Sequence, residues 1–225
     1  CISSAASDVY KRQLYNVRRY RAIATAACRM SANTADFRAE VKRTSGVDIE
    51  VISEYEEARL TLLGARLNAP AGKKYLLVYD LGGGSTEVTL ATNAATPEIL
   101  ATVSVPLGAR NATEMFGLAD YNEAGAKALE EAVLKYLEPF FAQTAGIDYH
   151  GQAALVATSS TPLRLVSLIK KMPKYDKFAS DGVTVATADL DRVIGEILPL
   201  SYAKRAESVY IGPQPVSYTH LTLPT

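Results

Sequence analysis

Three short stretches hold residues whose types and spacing suit chemistry on phosphate. The first is Asp80-Leu81-Gly82-Gly83-Gly84-Ser85-Thr86. Three consecutive glycines permit positive φ and let backbone N–H groups converge on an anion with no Cβ in the way. Ser85 and Thr86 add hydroxyl donors. Asp80, at the end of an apolar run, offers a hard carboxylate of the kind that holds a magnesium ion directly or through water. No Gly-Lys-Ser/Thr follows, so this is not a Walker loop, and Gly-x-Ser-x-Gly is absent, so it is not a nucleophile elbow. A plain glycine hairpin accounts for the same residues equally well. Glu87, next along, reads as a solvent-facing strand residue.

The second stretch is the acidic run Glu54, Glu56 and Glu57. Carboxylates in a first helical turn favour the positive end of the helix dipole, and on local sequence that reading is preferred for all three. Glu57, one step deeper, also suits a base that deprotonates a water beside phosphorus. The third stretch, Thr158-Ser159-Ser160-Thr161, places hydroxyls between a strand and a helix. It is either a second anion site or a simple N-cap by Ser160 or Thr161 ahead of Pro162, and the cap is preferred. Arg29 reads locally as a surface salt-bridge residue, with a phosphate clamp as the other possibility. Asn111-Ala112-Thr113 has the form of a glycosylation sequon.

The elements that must position these residues can be read from periodicity. Arg21 to Thr25 is a short strand. Asn33 caps a helix with Phe37 and Val41 on one face and Gly46 as its stop. Val47 to Ile52 alternates as a half-buried strand. Ser53 with Glu56 forms a capping box that opens a helix to about Leu67. Asn68 to Lys74 is small and breaker-rich, a linker. Tyr75 to Tyr79 is a continuous apolar strand. Thr86 to Leu90 and Ile99 to Val105 complete a meander. Asn122 to about Gln143 is a helix containing Pro139. Ala153 to Thr158 is a buried strand, and Thr161-Pro162 opens a helix with Leu163, Val166 and Ile169. Asp189 to Leu198 is helical, and Ser208 to Ile211 is a last strand. Mixed strands and helices around one meander predict an α/β fold.

Composition narrows the function classes. The 225 residues carry 24 basic and 24 acidic side chains. Zero net charge argues against a general nucleic-acid binder, though not against a local basic pocket for a small polyanion. Trp is absent, and no apolar run approaches the roughly 18 residues of a membrane helix. Cys1 and Cys28 are too few and too far apart for a disulfide scaffold or a Cys-type zinc site. His150 and His220 make no cluster, which weighs against a zinc enzyme and a Ser-His hydrolase.

Four stretches, in order, give the chain a family resemblance. Ala24 to Asn33 (ATAACRMSAN), Ile49 to Leu60 (IEVISEYEEARL), Val78 to Glu87 (VYDLGGGSTE) and Arg205 to Gly212 (RAESVYIG) resemble conserved elements of the exopolyphosphatase/guanosine pentaphosphate phosphohydrolase family. The order and separation of the second and third are specific, and the resemblance spans roughly Arg18 to Pro215. It implies an actin-like ATPase superfamily fold of two ribonuclease H-like domains about a cleft. It also implies magnesium-dependent cleavage of terminal phosphate from polyphosphate or guanosine pentaphosphate. Carried over by position, Glu57 is the general base, Gly82, Gly83, Gly84, Ser85 and Arg29 bind phosphate, and Asp80 assists the metal. A cytoplasmic protein is expected, with no nucleic-acid or membrane partner, and a homodimer is compatible with the full-length form.

Departures accompany the match. Glu54 stands in place of a glycine in the turn before the acidic helix. Ala157 and Ser160 replace the two glycines of the family's turn after the later strand. The family's first phosphate loop and its downstream "GLREG" element have no counterpart. Residues 1–13 and 216–225 read as non-native, adapter-like tails. The expected organisation is then residues 14–68 as the back of the first ribonuclease H-like domain, 69–74 as linker and 75–215 as most of the second. An internal fragment of this kind is expected to be catalytically inert. Two rival readings are another actin-like ATPase or sugar kinase, and a non-catalytic nucleotide sensor; Glu57 separates the last from an enzyme, because a sensor does not need it.

Overall fold

The computed structural model describes residues 17–211, so the expectations for the two tails lie outside the described residues. The chain divides into two compact units, one up to Glu57 and the other from Ala58 on.

In the first unit, strand β1 (Ala22–Ala24) pairs in parallel with β2 (Ile49–Val51), Ile23 opposite Glu50. Parallel neighbours need a crossover, and helices α1 (Ala26–Met30) and α2 (Thr34–Ser45) supply it. Val41 is the buried residue of α2, and Gly46 ends the helix at φ 69°, donating its N–H to Lys42 O. Only glycine takes that left-handed cap at no cost, as the sequence predicts. Asn33 stands at the start of α2, but its side chain makes no capping bond; Thr34 Oγ1 instead reaches Ser31 O at 3.0 Å. Helix α3 (Glu54–Ala65) opens as expected, with Ser53 Oγ accepting from the Glu56 N–H at 3.2 Å.

The second unit is built on a four-stranded sheet in the order β5-β4-β3-β6. Strands β3 (Tyr75–Leu81), β4 (Thr86–Thr92) and β5 (Ile99–Val105) form the expected antiparallel meander. Strand β6 (Ala153–Thr158) runs parallel to β3. Helices α4 (Ala109–Met115) and α5 (Glu123–Thr144) follow the meander, and α6 (Ser160–Ile169), α7 (Lys177–Ser180), α8 (Thr187–Ile197) and α9 (Tyr202–Ala206) follow β6. Tyr79, Leu81, Val88, Leu90 and Val105 pack with Leu129, Leu137 and Phe140 of α5 on one face of the sheet. Leu76 and Val78 pack with Leu62 and Ala65 of α3 on the other. Burial on both faces is why β3 reads as a continuous apolar run rather than an alternating one. Truncating a fully buried leucine such as Leu76 to Ala costs about 2–5 kcal/mol, so these two layers hold the strand that carries Asp80.

The strand expected at Ser208 to Ile211 is not formed among the described residues. The chain turns there, with the Ser208 N–H on Arg205 O at 3.1 Å. The carbonyls of Tyr210 and Ile211 both accept from the Arg164 guanidinium, at 2.5 and 2.8 Å. Carbonyls taken by a side chain are not free to build a ladder, which overrides the apolar pattern of the segment.

Candidate phosphate-binding site

The glycine turn joins β3 to β4 and is finished by residues far along the chain. Gly82 O accepts from the Ala109 N–H at 2.9 Å, and Gly83 O from Arg110 and Asn111 N–H at 3.0 and 3.3 Å. Gly84 O accepts from Asn111 Nδ2 at 2.9 Å. The same side chain donates to Pro106 O and accepts from the Gly108 N–H. The orphan donors at the start of α4 are therefore satisfied by the carbonyls of the turn. Within the turn, the Gly82 N–H bonds Ser85 O at 3.0 Å. Among the described residues, no backbone carbonyl accepts from the N–H of Gly83, Gly84 or Ser85. All carbonyls bonded and three successive N–H groups left over is the arrangement an oxyanion requires.

The expected role of the glycines is corrected in one respect: none of Gly82, Gly83 and Gly84 adopts a positive φ. Their value is space. A Cβ on Gly83 or Gly84 would meet nothing within 4 Å, so the turn is open at both positions. Gly108 is glycine for a harder reason. A Cβ on it would lie 2.5 Å from Gly83 C and Gly84 N. Sequence reasoning missed Gly108 and saw Asn111 only as a sequon. Glycine followed three residues on by an amide side chain is a helix-start pattern, and it could have drawn attention to both. Thr86, named as a hydroxyl donor, spends its donor on Leu107 O at 2.6 Å.

Beside the turn lies a row of polar residues that the ladder fixes. Asp80 is registered with Glu87 on β4 and with Thr158 on β6, and Glu87 with Ser104 on β5. Registered neighbours leave the sheet on one face. Glu87 is not solvent-facing as expected: it is 4% exposed, on the sheet face that α3 covers at Leu76 and Val78, and its Oε1 accepts from Ser104 Oγ at 3.0 Å. Asp80 is half-buried, and its Oδ2 accepts from Thr61 Oγ1 of α3 at 3.3 Å. Burial, with the Asp80 charge as a second cause, holds the Tyr79 phenol protonated well above its usual range. No group of three or more His, Cys, Asp or Glu able to hold a metal occurs among the described residues. Magnesium does not need one: it takes one or two carboxylates and fills its octahedron with water and phosphate oxygens. Asp80 with Glu87 on the same face fits that demand.

In the first unit, the structure brings two predicted residues together. Arg29 Nη1 donates to Glu57 Oε2 at 2.8 Å and to Ile52 O at 3.0 Å. Both side chains are largely buried, at 18% and 14% exposure, so Arg29 is no surface residue. Glu57 lies in the first turn of α3 with Glu54 and Glu56, whose carboxylate pairs instead with Arg21 at 2.8 Å. Of the two Glu57 carboxylate oxygens, Oε2 carries the bond to Arg29.

At the end of β6, the preferred N-cap reading is overturned. Neither Ser160 nor Thr161 is the cap; that position falls to Ser159, whose side chain makes no capping bond. Ser159 has φ 84° and ψ −178°, a conformation suited to glycine. Thr158 Oγ1 and Ser159 Oγ are both buried with no hydrogen-bond partner.

Comparison with known proteins places the fold among solved structures. An exopolyphosphatase-like protein of known structure is 26% identical and superposes with a TM-score of 0.79, over 94% of this chain and 66% of its own. An exopolyphosphatase from Cytophaga hutchinsonii has the same fold at 18% identity and a TM-score of 0.80, over 94% and 67%. The type II variant of the Aquifex aeolicus Ppx/GppA phosphatase shares it at 22% identity and a TM-score of 0.66, over 92% and 65%. The chain thus spans about two thirds of the length of these structures, in an α/β fold of the actin-like ATPase type. The Ppx/GppA phosphatase family matches residues 10–208, and the chain belongs to that family.

Proposed function

We propose that this chain carries the second phosphate loop and the general base of a phosphoanhydride hydrolase acting on the terminal phosphate of polyphosphate or guanosine pentaphosphate. The observation that carries the reading is the turn at Gly82 to Ser85, with its glycine carbonyls bonded to residues 109–111 and the N–H groups of Gly83, Gly84 and Ser85 given to no backbone carbonyl among the described residues. Donors fixed in advance lose no reorganisation energy when charge develops on the transferring phosphoryl group. Asp80, with Glu87 beside it, would hold a magnesium ion, which neutralises phosphate oxygens when bound. Glu57 takes the proton of the attacking water, and Arg29 holds its carboxylate in place. In-line attack also needs donors facing the substrate from a second loop, and misplacing reactants forfeits up to about 7–11 kcal/mol of barrier reduction. The chain by itself is therefore expected to bind phosphate chains without turning them over.

The test joins binding to turnover. Tripolyphosphate titrated into the chain should bind saturably to wild type and to Glu57→Gln alike, and not to Gly83→Val. In a chain extended to the full length of its relatives, Glu57→Gln should lower magnesium-dependent phosphate release about a hundredfold or more, the scale of a general base. Release within threefold of wild type removes Glu57 from the mechanism, and unchanged binding to a folded Gly83→Val protein reduces the turn to a hairpin.

A further inference from the structure

The turn after β6 is the part of the site that the proposed chemistry leaves unused, and it contains an unexplained feature. Thr158 Oγ1 is buried and bonds nothing. Buried hydroxyls in folded proteins are almost always paired, and an orphan points to a water or ion that completes the site. Thr158 is the ladder partner of Asp80, so their side chains leave adjacent strands on one face, with the strands about 4.8 Å apart. From helix α3, Thr61 already donates to Asp80 Oδ2. Asp80 therefore has one hydroxyl neighbour in use and one idle.

We infer that Thr158 is a positioning residue for a divalent cation at Asp80. Its hydroxyl turns toward the carboxylate when the cation is bound and holds a water of the cation's shell, fixing the ion against Asp80 rather than ligating it. Magnesium keeps several of its waters, and groups that hold such outer partners typically account for 10–100-fold in metal affinity. The inference rests on the reading of Asp80 as the cation's carboxylate, and the experiment separates the two.

Manganese(II) serves as the probe, titrated into the whole chain and followed by electron paramagnetic resonance, with thermal unfolding measured on the same samples. Wild type should bind one Mn²⁺, and Asp80→Asn should not. Thr158→Val, which keeps the shape and removes the hydroxyl, should bind Mn²⁺ at least tenfold more weakly with an unchanged or higher Tm, because no protein hydrogen bond is lost. Thr158→Ser should stay within threefold of wild type. A purely structural hydroxyl gives the reverse pattern, a lower Tm with Mn²⁺ affinity intact, and overturns the inference while leaving Asp80 in place. Mn²⁺ binding unaffected by Asp80→Asn, or absent from wild type, overturns both readings.

Discussion

Two turns close neighbouring strands of one sheet, after β3 and after β6, and they are finished in opposite ways. In the turn at Gly82 to Ser85, every glycine carbonyl is bonded and no residue strains its backbone. In the turn at Thr158 to Thr161, two hydroxyls are buried without partners and Ser159 occupies a glycine conformation. Both follow a strand that delivers a polar residue to the same row, Asp80 in one case and Thr158 in the other. In the first turn, distant residues consume the acceptors and leave a run of N–H groups over. Hydroxyl-rich composition alone leaves the second unfinished.

The sharpest way to break the contrast is Gly108→Ala. The added Cβ would lie 2.5 Å from backbone atoms of Gly83 and Gly84, where no flexible side chain can yield. Overpacking of this kind costs about 1–3 kcal/mol or more. Taking the upper figure, Tm should fall by roughly 6–12 °C. Tripolyphosphate binding should disappear with it. A Gly108→Ala protein with wild-type Tm and binding means the turn does not depend on its contact with the start of α4. Asn111→Ala comes next. It removes two donors and leaves the Gly108 N–H without its acceptor, which costs about 1–3 kcal/mol. Urea unfolding measures it; a loss under about 0.5 kcal/mol contradicts the role assigned to the amide.

The other turn should respond with the opposite sign. Ser159→Gly relieves a conformation that costs a non-glycine residue about 1–3 kcal/mol. The greater freedom of glycine in the unfolded chain takes back roughly 0.5–1 kcal/mol. A net gain of about 1 kcal/mol is expected from these two figures, seen as a higher urea midpoint at constant m-value. A destabilised Ser159→Gly protein shows that the serine side chain contributes something the contacts of the turn do not reveal.

The same contrast explains how much was legible in the sequence. Strand and helix placement came through wherever a period ran long enough, as in the meander from Tyr75 to Val105 and the helix Glu123–Thr144. Gly46 and Ser53 were legible because caps are local. Glu87 was misread because alternation along β4 cannot tell a covered face of the sheet from an open one. The helix-start pattern of Gly108 and Asn111 is local, but their contacts with the glycine turn, more than twenty residues away, are not. The run Ser208 to Ile211 has strand-forming residues, and only the presence of Arg164 beside its carbonyls decides against a strand. Arg29 and Glu57 were singled out through family resemblance. Their ion pair joins residues 28 apart, a distance no local pattern spans.

The smallest expected effect lies in the first unit and serves as a baseline for the others. Arg21 binds both carboxylate oxygens of Glu50, at 2.7 and 2.8 Å, and Glu56 at 2.8 Å. Its hydrogen bonds, aided by its charge, hold the Glu50 carboxyl below the usual range, with burial and the Glu56 charge opposing. A carboxyl whose pKa is lower in the folded state binds fewer protons there than in the unfolded chain. Its contribution to stability is therefore complete above the ordinary carboxylate value of about 4.3 and disappears as pH falls through the depressed one. Arg21 and Glu50 are both about half exposed, so water and salt screen the pair and the contribution is slight. Glu50→Gln should lower the urea midpoint marginally at about pH 7, and less in about 1 M salt. The difference from wild type should close as the medium is made acidic, because a protonated Glu50 offers Arg21 no more charge than Gln does. A difference that widens toward acid would mean that Glu50 is stabilised in its neutral form, and that the Arg21 pair does not control its titration.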